Sequence, residues 1–88
     1  MTRAELIEVA RRFLFRRRHN YILTFRSAPG QEVLRDLAPF CYANSSTFKP
    51  NEREHVLAEG RREVWLRIAN HLNMSPEELW RLYDGRES

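Results

Sequence analysis

NEREHVLAEGRREVWLRIANHL, residues 51–72, is the segment on which the fold turns. Val56, Leu57, Val64, Trp65, Ile68 and Leu72 recur along it at helical spacing, and no proline interrupts them. The pattern predicts a helix from Asn51 or Glu52 to Leu72 that serves as a central strut. Gly60 stands inside it on the face of Leu57 and Val64, where glycine costs about 1 kcal/mol relative to alanine. Close approach of another helix, a crossing at Gly60, is the expected compensation. Glu59, Arg61, Arg62 and Glu63 alternate in sign, and the four-residue steps Glu59–Glu63 and Glu63–Arg67 mark a solvated flank.

Beyond the strut, Met74–Ser75–Pro76–Glu77–Glu78–Leu79 has the form of a helix start. Ser75 caps, Pro76 takes the first turn, Glu78 completes a capping box, and Met74 can staple to Leu79. A helix over 76–83 then folds Leu79, Trp80, Leu82 and Tyr83 back onto the bundle, leaving 84–88 as a solvated tail. Before the strut, Asn44–Asn51 is dense in turn formers and reads as a surface loop with Phe48 pinned inward. Ser27–Ala28–Pro29–Gly30 starts a further helix whose Val33, Leu34, Leu37, Phe40 and Cys41 share a face, and which Pro39 must end or kink. At the front, Thr2 and Glu5 form a capping box, and Leu6, Val9, Ala10, Phe13 and Leu14 predict a helix over 3–18. Leu6, Val9/Ala10 and Phe13 are expected inward, with Arg11, Arg12, Arg16 and Arg18 toward the flanks or solvent. The same pattern leaves open whether Tyr21, Ile22 and Phe25 continue this helix. Together these segments give an all-α fold, a small bundle of three to four helices in a single domain over residues 1–88.

The charge is unevenly placed. The chain carries fourteen arginines against one lysine and a net charge of +3. Residues 1–26 hold seven arginines against Glu5 and Glu8, while the remainder is mildly acidic. Guanidinium grips carboxylate or phosphate with paired hydrogen bonds, so arginine in place of lysine suggests a surface that holds a partner. Arg11, Arg12, Arg16, Arg17 and Arg18 converge over two helical turns, and Phe15 lies among them, off the Leu6–Phe13 stripe, as an interface anchor would. Nucleic acid, an acidic protein face and a neighbouring copy all fit this run. So does a bland alternative in which the arginines merely cover apolar surface and pair with nearby glutamates. Tyr42 and Trp80 are weaker anchor candidates; most other rings are needed for the core.

Signs of catalysis are scarce. His19, His55 and His71 are too far apart to clasp one ion, so no metal site is expected. Glycine-rich phosphate loops, paired-cysteine zinc signatures and nucleophile elbows are missing from the sequence, and Cys41 has no base beside it. The reading is a protein that is not an enzyme and has no cofactor. Cys41, between Phe40 and Tyr42, reads as a small buried hydrophobe. With no apolar run of about 20 residues and no apolar leader, the chain is expected to be intracellular, without a membrane partner.

Several elements, taken in order, resemble a family of small proteins of tailed bacteriophages. They are Tyr21–Phe25, Pro29–Gly30, Val33–Leu34 with Asp36–Leu37, Phe40–Cys41, Phe48, and the run from Glu59 to Ile68. The likeness covers about residues 21–72; the arginine-rich first helix and the last helix are less clearly part of it. Such proteins accompany the head and packaging genes of short-tailed phages, near portal and terminase, and the resemblance implies no catalytic activity. On it, Gly30, Asp36, Glu59, Gly60, Arg61 and Arg62 are pattern positions that lock helices together. The expected role is a noncatalytic virion or morphogenesis component that resides in the particle or the host cytoplasm. It would bind phage structural proteins, or further copies of itself, through Arg11, Arg12, Phe15, Arg16, Arg17 and Arg18. The alternatives are a host-directed inhibitor, anti-defence or transcription-blocking, and a DNA-binding packaging accessory.

Overall fold

Local signals set all four helices of the computed structural model, which describes residues 1–87, with side chains through Leu82. Helix α1 spans Arg3–Phe25, α2 Ala28–Phe40, α3 Glu52–His71 and α4 Pro76–Glu87. Thr2, Ser27 and Asn51 each accept a hydrogen bond from the amide three residues on, at 3.2, 3.1 and 3.1 Å, relieving one of the free donors of a helix start. Ser75 and Glu78 close a reciprocal capping box, Glu78 N donating to Ser75 Oγ at 3.1 Å and Ser75 N to Glu78 Oε1 at 3.3 Å. Pro39 occupies the penultimate position of α2, so the helix stops one residue after it.

Helices α2 and α3 end alike. Tyr42 and Asn73 adopt left-handed backbone, φ 53° and 58°. The next amides reach back five residues, Ala43 N to Ala38 O and Met74 N to Ala69 O, both at 2.9 Å, as in a Schellman cap. Left-handed backbone is disfavoured for a residue as bulky as tyrosine. At Tyr42 it is held by Arg62, which donates to the Tyr42 carbonyl at 2.7 Å, while Lys49 Nζ stands 5.2 Å from the ring centre.

One core joins the second half of the molecule to the end of α1. Leu34 and Ala38 of α2, Cys41, Ala43, Trp65, Ile68 and Ala69 of α3, Leu72 and Leu79 of α4 are buried, and Tyr21, Ile22, Phe25, Leu37, Met74 and Trp80 pack against them. Trp65 is fully enclosed, and its indole N–H donates to Pro76 O at 3.4 Å. Tyr21 stacks on His71, ring centres 4.2 Å apart, and fixes α1 to the end of α3. Where α1 turns into α2 the backbones nearly touch: a Cβ on Gly30 would lie 1.7 Å from the Thr24 carbonyl oxygen, so only glycine fits. The result is a flat molecule, 51 × 35 × 18 Å.

Several sequence expectations need correction. Helix α1 does not stop at Arg18 but runs through Phe25, because nothing breaks it and Tyr21, Ile22 and Phe25 anchor its end. Leu6, Val9, Ala10 and Phe13 are exposed, not inward. At about 100° per residue the Leu6–Val9–Phe13 stripe is centred roughly 130° around the helix from the docked face. Phe48 is 71% exposed and only tilts against His55. In α3, Trp65, Ile68 and Leu72 are buried as expected, but Val56, Leu57 and Val64 face outward. No atom comes within 4 Å of a Cβ built on Gly60, so no described helix crosses there. Val33 and Phe40 of α2 and Leu82 of α4 are also exposed. Helix α4 continues past 83 to Glu87; the burial of Tyr83 and the solvation of 84–88 lie outside the described side chains.

Candidate functional site

The first three quarters of α1 form a helical arm. From Arg3 to Asn20 every residue is exposed except half-buried Arg17. At about 1.5 Å per residue the stretch before Tyr21 is roughly 27 Å long. Capping by Thr2 and the pairing of Glu8 with Arg11 at 3.9 Å and Arg12 at 3.3 Å support it locally.

The six docking candidates are brought onto this arm but not onto one face. Arg11, Phe15 and Arg18 line a groove with Leu14 and Arg17, closed on the far side by Asn70 and His71 of α3. Arg12 and Arg16 lie on the adjoining flank, where a second shallow groove joins them to Glu8, Arg11 and Phe15. Arg17 stands at the opposite edge of the first groove from Arg12 and Arg16, its guanidinium 4.8 Å from the centre of the Phe13 ring. Phe15 is 73% exposed and stacks loosely on His19, ring centres 6.2 Å apart. Arg16 and Arg18 make no ion pair among the described residues. Such an arm offers guanidinium donors and apolar side chains on one rod, which suits a carboxylate-bearing protein surface or a phosphate backbone.

The pattern positions lie elsewhere. Arg62 holds Tyr42 O, Arg61 covers the Phe40 ring at 4.3 Å, and Glu59 accepts from the Thr47 hydroxyl. These three contacts tie the end of α2 and the following loop to α3. Asp36 is exposed. Tyr42 and Trp80 are half-buried, Trp80 against the core. Burial pushes the Cys41 thiol above its ordinary pKa, against a smaller downward pull from Arg61. Among the described residues, no three His, Cys, Asp or Glu side chains gather as a metal site, and no helix is long and apolar enough to cross a membrane.

A family model for Bbp19-like phage proteins matches residues 12–84. The chain belongs to that family. The match takes in Arg12–Arg18 of the arm and most of α4, so the family's pattern extends further at both ends than the 21–72 resemblance suggested. Residues before Arg12, including Leu6, Val9 and Arg11, fall outside it. Comparison with curated proteins and with solved structures returned no match.

Sequence reasoning missed the outward ridge of α3, where Val56, Leu57 and Val64 flank Gly60. The available signal was a surplus: the sequence carries more apolar stripes than one core of an 88-residue chain can enclose.

Proposed function

We propose that this Bbp19-like protein is a noncatalytic component of the phage particle or of its assembly, and that the arm of α1 docks it onto other proteins. The observation that carries the reading is the arm itself. Leu6, Ile7, Val9, Phe13, Leu14 and Phe15 are each more than half exposed, interleaved with six arginines. Apolar surface of this extent on a charged helix marks an interaction site, and aromatic and arginine side chains are the types that anchor protein interfaces. A setting among head and packaging genes of short-tailed phages fits a small noncatalytic module used in several copies.

Mass spectrometry of purified particles tests the role. The chain should be present, and the triple substitution Arg12→Glu, Arg16→Glu, Arg17→Glu should deplete it from particles without unfolding the body. A chain missing from particles would sink the virion reading. The second reading, a DNA-binding packaging accessory, draws on Arg16 and Arg18, whose guanidinium groups have no acidic partner among the described residues. It requires binding to DNA that falls steeply with salt.

A further inference from the structure

We infer that the partner of the arm is a second copy of this chain, which receives it on the ridge of α3 centred on Gly60. The inference rests on the reading of α1 as a protein-docking arm and names its occupant.

Gly60 is the starting observation. A glycine in mid-helix weakens the helix, and inside one chain such a residue is explained by a neighbour packed against its bare backbone. Gly30 has such a neighbour, and Gly60 has none among the described residues. Around Gly60, Val56 is 64%, Leu57 56% and Val64 48% exposed. A helix laid across this ridge would find a shallow saddle at the glycine with apolar walls on either side.

Shape and charge both favour the arm as that helix. Its Leu6–Val9–Phe13 stripe faces away from its own core, each residue more than half exposed, with only the Arg17 guanidinium over the Phe13 ring among the described contacts. The arm carries six arginines against Glu5 and Glu8. Helix α3 carries Glu52, Glu54, Glu59 and Glu63, and two of its four arginines, Arg61 and Arg62, are turned onto Phe40 and the Tyr42 carbonyl. Glu59 and Glu63 border the saddle on one side, Arg53 and Arg67 stand one turn beyond its ends, and Glu63 makes no ion pair among the described residues. Arg12 and Arg16, which flank the stripe, supply the opposite charge.

Area decides the closure. The three stripe residues and the three ridge residues together offer roughly 500 Å² of apolar surface, short of a stable interface, whereas exchange of both arms in a two-fold pair doubles it to about 1,000 Å² before arginine stems are counted. Reciprocal exchange therefore brings the pair to the lower bound of a specific interface, which a single arm does not reach.

Sedimentation of the purified full-length chain over a range of concentrations tests this without any other phage protein. The expected result is a reversible dimer whose dissociation constant rises at least about tenfold on Gly60→Leu and on Val9→Asp. Both variants should keep the helical circular dichroism of the parent, since Gly60 faces open space and Val9 is exposed. A monomer at every concentration, or a Gly60→Leu chain that dimerises as tightly as the parent, overturns the proposal. A monomer that still enters particles would sink the exchange and leave the docking role standing. A Gly60-dependent dimer missing from particles would uphold the exchange and sink the virion reading.

Discussion

One helix behaves in two ways. From Tyr21 to Phe25, α1 is fastened by the stack on His71 and by packing of Tyr21, Ile22 and Phe25 against the core. From Arg3 to Asn20 it touches little but itself, yet holds the same geometry. The difference teaches that helicity and burial have separate causes here. Arginine, leucine, alanine and glutamate favour the helix intrinsically, the Thr2 cap closes its start, and the fastened end supplies the nucleus that a free peptide of this length lacks. Apolar periodicity says that a face wants cover; it does not say which chain provides it.

The largest effect that could break this division comes from the core. Trp65→Ala should lower unfolding free energy by about 3–5 kcal/mol. Phe13→Ala, an equally drastic truncation on the arm, should change it by no more than about 0.5 kcal/mol, measured by urea denaturation at high dilution. Comparable losses would mean that the arm belongs to the core after all.

Next come the two glycines. Gly30→Ala drives a methyl group into the Thr24 carbonyl and should cost about 3 kcal/mol, at the upper end for overpacking. Gly60→Ala meets nothing and should stabilise the isolated chain by up to about 1 kcal/mol, seen as a rise in Tm. Equal signs for the pair would undo the contrast.

The smallest effect is a titration. Burial raises the Cys41 thiol pKa, so in alkali the unfolded chain loses its proton first, and the folded chain binds more protons than the unfolded one. Stability should therefore fall as pH rises past the thiol's ordinary pKa, and Cys41→Ala should flatten that slope. An unchanged slope would show that Cys41 is not sheltered as its position implies.

Much of the fold was legible because its signals are local. Ser27, Asn51 and Ser75 announce helix starts through side-chain oxygens three residues from the amides they cap, and Pro39 limits α2 through its ring. The all-α class and Trp65–Ile68–Leu72 as a core stripe follow from spacing alone. The arm did not, because Leu6–Val9–Phe13 has the same period as a buried stripe. Only the docking of Tyr21, Ile22 and Phe25, a tertiary event, turns that stripe outward. Phe48 was misplaced for a related reason: a loop ring can rest against a neighbour such as His55 without entering the core. Arg11–Arg18 were legible as a cluster, and their spread around the helix follows from its roughly 100° step, but the turn of the Arg17 guanidinium onto Phe13 depended on a rotamer that no sequence pattern fixes.

The molecule is 18 Å through its thinnest dimension, less than two helix diameters with their side chains. A plate of that kind keeps a face of each long helix at its surface, as the exposed sides of α1 and α3 show. It has more to gain from being tiled against like plates than a globule of equal mass, which already hides its centre.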